Sequence, residues 1–483
     1  MTDNTNNTTS VKATTNTLRN NIIKLIVISL ICIATAILPS FLTDYLVLTP
    51  VQHILLVIFV GGALFWLSEP IPVYATSIVI ISLLCFVISD SGLTPICNYL
   101  KSVDKEHMLS YKAIFTCFSS PVIILFLGGF ALAIGATKYK LDVNLANFLL
   151  KPFGSNPKLI VLGIMCITGT FGMFMSNTAT AVMMLAMIAP VLLSIGKEEP
   201  GIKGMVLAIP FAANIGGIAT PIGTPPNAIA LSYMPENSIS FFEWMSIGFP
   251  FAVACIFIAW TILCLMFPFK QNRIELDLNA NFMKSKQAYI VYVTFAGTIL
   301  LWMTEKLHGI NSYVVALVPI LIFTSTGIIK AKDIKTMNWD VIWLVAGGIA
   351  LGDALSSTKL ASVLAHTVDN VDTNAFTIIC LLCFIAWLAS NFISNTATAN
   401  LMLPISVAVL QNINLGEGIN ITHIFVILAF TMSFGMSLPI STPPNALAYA
   451  TGHIKNIDLL KSGALVSIIT FALAIIVLKL FVM

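Results

Sequence analysis

Two short polar motifs each occur twice in this chain. Ser-Asn-Thr-Ala-Thr-Ala fills 176–181 and again 394–399, and Thr-Pro-Pro-Asn-Ala fills 224–228 and again 442–446. Both pairs are 218 residues apart, which marks them as parts of one repeated unit. Each motif interrupts an apolar stretch. Irregular backbone at membrane depth must line a cavity enclosed by protein or holding water. Pro225, Pro226, Pro443 and Pro444 lack N–H groups, so each pair breaks a helix and frees carbonyls of the preceding turn. Gly223 and Ser441, just before the breaks, permit close approach. Freed carbonyls with Asn and Ser oxygens form a hard-oxygen cage that suits an alkali cation. Helices restarting after each break, and after each Ser-Asn-Thr, aim N–H groups and positive dipole ends inward, which suits an anion. The chain has only two arginines, Arg19 and Arg273, and neither motif contains Lys or Arg. An anion here would be held by Asn177, Thr178, Asn395, Thr396, Thr224 and Thr442, by helix N-termini and by co-bound cations. A removable cation then couples the two binding events by linkage.

Each motif alone has a plainer reading. Small and hydroxyl residues pack membrane helices together, and a Pro-Pro kinks a helix. Joint duplication at one offset favours a site. An upstream echo, Leu-Gly-Gly-Phe-Ala-Leu at 127–132 and Ala-Gly-Gly-Ile-Ala-Leu at 346–351, extends the repeat.

The elements that must position these motifs are membrane helices. The 483 residues are 58% hydrophobic and 9% charged, against about 25% charged in soluble domains. Candidate spans are 22–39, 52–68, 72–90, 114–136, 157–175, 177–196, 203–233 (broken), 241–268, 288–304, 313–329, 340–356, 374–393, 394–412, 423–450 (broken) and 461–482. Residues 1–21, rich in Asn and Thr, are expected to be a disordered cytoplasmic tail. The run from Ile22 is taken as a first span rather than a signal peptide. With each pair flanking Ser-Asn-Thr counted as no net crossing and the N-terminus inside, 18 of the 24 Lys and Arg fall in cytoplasmic segments. The C-terminus is then outside. Two full spans give the same parity as a re-entrant hairpin, so charge does not separate those forms. Five crossings lie between the two Ser-Asn-Thr motifs, so the second unit is inverted relative to the first. Inverted repeats with paired broken helices are a mark of secondary transporters.

Other residues carry less. The His residues make no zinc spacing, and no Walker A or Rossmann motif is present. Cys380 and Cys383 form a lone C-x-x-C inside an apolar helix, read as helix surface. Glu69 is expected at a helix end facing the cytoplasm. Asp353, within a span, is read as a proton site or a buried structural partner. Trp66, Trp302, Trp339, Trp343 and Trp387 read as interface or packing aromatics. An intramembrane enzyme would need a nucleophile–base pair or metal cluster at membrane depth, and none is visible, so no enzymatic activity is expected. A channel fits broken helices in inverted halves less well than alternating access does.

The paired Ser-Asn-Thr-Ala-Thr-Ala and Thr-Pro-Pro-Asn-Ala motifs, with Ser-Glu-Pro-Ile-Pro at 68–72, resemble the divalent anion–sodium symporter family over nearly the whole chain after the tail. These are bacterial and animal carriers of succinate, malate, fumarate and sometimes citrate. The resemblance implies an all-α polytopic inverted-repeat elevator transporter, with about 11 transmembrane helices and two re-entrant hairpins. It implies a homodimer in the cell inner membrane, bound to lipid bilayer, Na⁺ and a small dicarboxylate, with no nucleic-acid partner. Scaffold segments are expected at 22–153 and 288–372, and transport segments at 154–269 and 373–483, with a cytoplasmic linker at 270–287. One sodium site is implied at Gly172, Ser176, Asn177 and Gly223, and the other at Ser390, Ile393, Asn395 and Ser441. Substrate contacts are implied at Asn177, Thr178, Thr224, Ser394, Asn395, Thr396, Thr442 and Pro443. Gly172 offers only a carbonyl where its counterpart is Ser390. The expected activity is Na⁺-coupled symport of C4 dicarboxylates, with a dicarboxylate or citrate exchanger as the alternative.

Overall fold

A computed structural model describes residues 3–37, 47–195, 199–235, 238–274, 281–366, 374–410, 413, 415 and 419–481. Among the described residues the chain is helical, with one isolated bridge between Ser89 and Leu109. It divides into two compact units. The first comprises Met1–Ser119, Asp340–Asp372 and Asn400–Asn414, and the second Ser120–Trp339, Thr373–Ala399 and Leu415–Met483. Segments 120–153 and 288–339, which sequence placed with the scaffold, group with the second unit.

Helices of eight or more residues are numbered in chain order. In the first unit α1 (Asp3–Ile37) packs on α2 (Pro50–Ser68), followed by α3 (Val73–Leu83) and α4 (Thr94–Val103). α1 begins at Asp3, inside the Asn- and Thr-rich segment expected to be disordered. Once a turn exists, extending a helix avoids the cost of nucleation. α2 opens with a capping box, Thr49 with Gln52, and closes on Glu69 in the left-handed conformation (φ 46°). Pro70 follows and prevents continuation. Buried Asp104 accepts from the Val51 amide (2.9 Å) and pairs with His107 (2.6 Å).

The second unit begins with α5 (Pro121–Lys138), α6 (Leu141–Leu150), α7 (Pro157–Gly172), α8 (Asn177–Ile195), α9 (Gly201–Gly217) and α10 (Pro225–Ser232). It continues with α11 (Phe241–Met266), α12 (Lys286–Met303) and α13 (Leu317–Ser325). α14 (Trp339–Ser357) lies almost wholly in the first unit. Asp353 on it is exposed, while Ile349 and Ala350 one turn before it are buried. α15 (Ala375–Phe392) returns to the second unit, and α16 (Asn395–Leu410) starts there. α17 (Ile421–Met432), α18 (Pro443–Ala450) and α19 (Asn456–Phe481) complete it. Among the described residues eight helices are long and apolar enough to cross a membrane.

Packing in the second unit repeats like the sequence. α9 packs on α7 and α11, and α17 packs on α15 and α19. The helices after the breaks cross over: α10 lies on α17, and α18 lies on α9. α9 is buried on every side except at Lys203, and α17 from Ile424 to Met432. Helices apolar all round belong at a core. Trp244, Phe251, Phe430 and Phe434 fill the space behind the breaks, with Phe251 stacked on Phe430 (centroids 5.4 Å) and Phe434 (6.0 Å).

Candidate functional site

Four helix starts define the site, and all lie in the second unit. α8 starts at Asn177 and α16 at Asn395, directly after the serines of the two hairpins. Ser176 Oγ accepts from the Ala179 amide (3.2 Å), and Ser394 Oγ accepts from the Ala397 amide (3.2 Å). The serine carbonyls take the Thr180 and Thr398 amides (3.0 and 2.9 Å). These caps use the third and fourth N–H groups of each helix. The first two, of Asn177 and Thr178 and of Asn395 and Thr396, have no intrahelical acceptor and carry the positive end of the helix dipole.

α10 and α18 start at the proline pairs. Thr224 and Thr442 hold the same extended conformation before them (φ −147°, ψ 145° and φ −144°, ψ 148°). Proline at N1 suits a helix start, since its missing N–H is one of the orphans. The asparagine of each Thr-Pro-Pro-Asn reaches back across the break. Asn227 Nδ2 donates to the carbonyls of Gly217 (3.0 Å) and Thr220 (2.8 Å), and Asn445 Nδ2 donates to that of Leu438 (3.0 Å). These bonds satisfy carbonyls the proline breaks release and fix the unwound segments. Trp244 Nε1 takes a further one, at Ile218 (3.0 Å).

In the first half, Gly172, Asn177, Gly217 and Gly223 converge. A methyl built on Gly223 would lie 2.5 Å from the Gly217 carbonyl oxygen and 2.7 Å from that of Gly172. One on Gly217 would lie 3.0 Å from Asn177 Nδ2 and 3.1 Å from both Asn177 Oδ1 and the Gly223 oxygen. The carbonyls of Gly172, Gly217 and Gly223 thus gather around the Asn177 amide because none of these residues has a side chain. Asn177 Oδ1 is buried and meets no donor. The second half repeats this around Gly435, where a methyl would lie 1.9 Å from the Ser390 carbonyl oxygen and 2.9 Å from Asn395 Oδ1. Asn395 Oδ1 is also buried without a donor, as are Asn227 Oδ1 and Asn445 Oδ1. A buried, unpartnered oxygen costs about 1–3 kcal/mol. A hard cation that meets one such oxygen and the adjacent carbonyls in each half would remove that cost, so the residues present fit Na⁺.

The two halves touch. Asn214 Nδ2 on α9 donates to Thr442 Oγ1 (3.2 Å), joining the first broken helix to the second Thr-Pro-Pro-Asn. Ser390 Oγ donates to the Trp387 carbonyl (2.8 Å), so its carbonyl rather than its hydroxyl hydrogen faces Gly435. Ile393 is buried, with its amide on Ala389 (3.0 Å). Thr178 and Pro443 are exposed, and Ser394 and Thr396 are half-buried. Gly217 and Gly435 were not singled out by the sequence reading. Their separation of 218 residues is the signal that finds them.

The comparisons agree with this architecture. The citrate transporter family model matches residues 63–424. A sodium-dependent dicarboxylate transporter of Staphylococcus saprophyticus is 28% identical over 86% of this chain and 83% of its own length. An inorganic phosphate transporter of Saccharomyces cerevisiae is 29% identical over 86% of this chain and 45% of its own. The chain spans about half the length of the yeast relatives it matches. The crystal structure of the Alcanivorax borkumensis YdaH transporter shares the fold, with TM-score 0.55 and 12% identity over 89% of this chain and 99% of that one. Repeated broken helices, a family match over most of the length and eight candidate spans among the described residues lead to one identification: the chain is a multi-pass membrane protein that belongs to the citrate transporter family, of the divalent anion–sodium symporter type.

Proposed function

We propose that the chain is a Na⁺-coupled symporter of C4 dicarboxylates such as succinate, malate and fumarate. The observation that carries this is the pair of buried, donor-free amide oxygens, Asn177 Oδ1 among the carbonyls of Gly172, Gly217 and Gly223 and Asn395 Oδ1 beside that of Ser390, in a site built without Lys or Arg. Gly172, Ser176, Asn177 and Gly223 would hold one Na⁺, and Ser390, Ile393, Asn395 and Ser441 the other. Bound Na⁺ supplies the positive charge a dianion needs, and its departure releases that dianion. The carboxylates would meet the helix-start amides and hydroxyls at Asn177, Thr178, Thr224, Ser394, Asn395, Thr396 and Thr442, with Pro443 alongside.

The complete site lies in one compact unit, which favours carriage of the site by a moving body, the elevator mechanism. In each hairpin one arm has only 16 residues, α7 and α16, or about 24 Å of helix. That is short of the roughly 30 Å hydrocarbon core and favours re-entrant hairpins in two inverted halves. The reading includes a homodimer in the inner membrane with the N-terminus cytoplasmic and the C-terminus outside. The sodium-dependent dicarboxylate transporter of Staphylococcus supports the choice of ions. The yeast phosphate transporter favours a second reading, inorganic phosphate as the anion.

The test is uptake into proteoliposomes of labelled succinate, citrate and phosphate, with Na⁺ or choline outside and no substrate inside. Succinate uptake is expected with Na⁺ alone. Equal uptake in choline would end the coupling claim. Preference for phosphate would establish the second reading, and strict dependence on internal substrate an exchanger.

A further inference from the structure

The two halves of the site are equivalent in position but not in how they are braced. Residues 172, 173, 219, 220 and 223 correspond to 390, 391, 437, 438 and 441 at the common offset. In the first half these are Gly172, Met173, Ala219, Thr220 and Gly223, and Thr220 Oγ1 donates to the Met173 carbonyl, tying the end of α7 to the unwound segment. In the second half they are Ser390, Asn391, Ser437, Leu438 and Ser441. Threonine 220 has no hydroxyl counterpart, and Asn391 stands where the first half has methionine.

Asn391 is buried and uses three of its groups. Its Nδ2 donates to the Trp387 carbonyl (2.9 Å), its Oδ1 accepts from Ser437 Oγ (2.7 Å), and its main-chain carbonyl accepts from Ser441 Oγ (2.7 Å). The end of α15 is thereby tied at two points to the unwound segment after α17. The neighbouring Ser390 carbonyl, which faces Gly435 beside Asn395 Oδ1, is held by that tie. A second consequence follows from proton accounting. A serine hydroxyl has one proton. Ser441 commits its proton to the Asn391 carbonyl and Ser437 to the Asn391 amide, so both oxygens keep only lone pairs for any further partner. The first half, with Gly223 and Ala219 at those positions, has no hydroxyl to offer.

We propose that the Asn391 side chain is a positioning group for the second cation half-site, orienting Ser437 as an acceptor and, together with the Ser441 bond to its main-chain carbonyl, holding the neighbouring Ser390 carbonyl, so that the two half-sites bind Na⁺ unequally and only the second depends on an amide side chain at this position. This rests on the Na⁺-coupled reading above. Removing the side chain would weaken cation binding at one half-site while leaving the other half and the hydroxyls facing the anion in place.

The experiment measures purified protein in detergent and in proteoliposomes. Na⁺ is titrated against choline, without substrate, and melting temperature is followed. Na⁺ dependence and substrate KM of succinate uptake are then measured. Asn391→Met, which gives the second half the residue of the first, is expected to raise the Na⁺ concentration for half-maximal uptake about tenfold and lower its Hill coefficient. Substrate KM at saturating Na⁺ should stay within about twofold. Ser437→Ala removes one hydrogen bond and serves if Asn391→Met does not fold. It should shift the same Na⁺ curve about threefold to tenfold. Unchanged Na⁺ curves in a folded variant, or a change in substrate KM alone, overturn the proposal. A wild-type protein that Na⁺ neither stabilises nor drives overturns the Na⁺-coupled reading, and with it this one. Wild-type stabilisation that both variants retain overturns this one alone.

Discussion

Gly217→Ala tests the cage directly, because the added methyl enters it. Built on the backbone, it lies 3.0 Å from Asn177 Nδ2, 3.1 Å from Asn177 Oδ1 and 3.1 Å from the Gly223 oxygen. Contacts this tight require the neighbours to give by a few tenths of an ångström. The Asn177 amide sits at the end of a side chain and can turn away, so the fold has a route to relief. Relief comes at the expense of the oxygen that would meet the cation. Overpacking of this kind costs about 1–3 kcal/mol. If that cost falls on the cation-bound form, Na⁺ affinity drops about 5- to 150-fold. The equivalent change, Gly435→Ala, has no such route. Its methyl would lie 1.9 Å from the Ser390 carbonyl oxygen, which is backbone, so α15 and α17 would have to separate. Gly217→Ala should therefore yield folded protein with a right-shifted Na⁺ curve for succinate uptake. Gly435→Ala should lower melting temperature or abolish recovery of folded protein. A Gly217→Ala protein with wild-type Na⁺ dependence would refute the convergence of Gly172, Gly217, Gly223 and Asn177 as a cation cage. A stable, active Gly435→Ala protein would refute the close approach of the second break to α15.

Asn177→Ala and Asn395→Ala should each abolish Na⁺-dependent uptake while leaving the protein folded, since each removes a donor-free oxygen and breaks no hydrogen bond of that oxygen; uptake and a melting curve on the same preparation check this. Asn227→Ala should destabilise by about 1–3 kcal/mol, because it leaves the Gly217 and Thr220 carbonyls buried without their donor; denaturation in detergent reads the loss. Lys138 lies 2.6 Å from Asp333 and holds its carboxyl below the usual 3.8, with the Lys330 amide adding to the effect. A lowered folded pKa means the pair stabilises fully above the ordinary carboxylate value and loses that contribution as pH falls through the folded value. Melting temperature should fall less between pH 6 and pH 3 in Asp333→Asn than in the wild type, about these nominal buffer values.

What could be read from the sequence was what the repeat duplicates. Both helix restarts fall where the motifs put them: Asn177 and Asn395 open helices, as do Pro225 and Pro443. Proline and an N-capping serine act through local covalent geometry, so a few residues suffice to place them. Gly217 and Gly435 escaped notice because glycine is common in membrane helices and its role here is a close approach by residues distant in sequence. The same limit applies to segments 120–153 and 288–339, whose grouping depends on which helices pack together and on no motif of their own. Asn391 is a different case. A reading built on matching the two copies weights positions that agree, and 391 is one where they differ, Asn against Met173. Yet divergence between copies is where a duplicated carrier can give its two halves separate tasks. The first half ties its break with Thr220 on the Met173 carbonyl, and the second with Ser441 on the same carbonyl position, 391, from a later position in the unwound segment. The carbonyl that must be held is the same in both. The hydroxyl that holds it differs, and with it the oxygens each half has left to offer a cation.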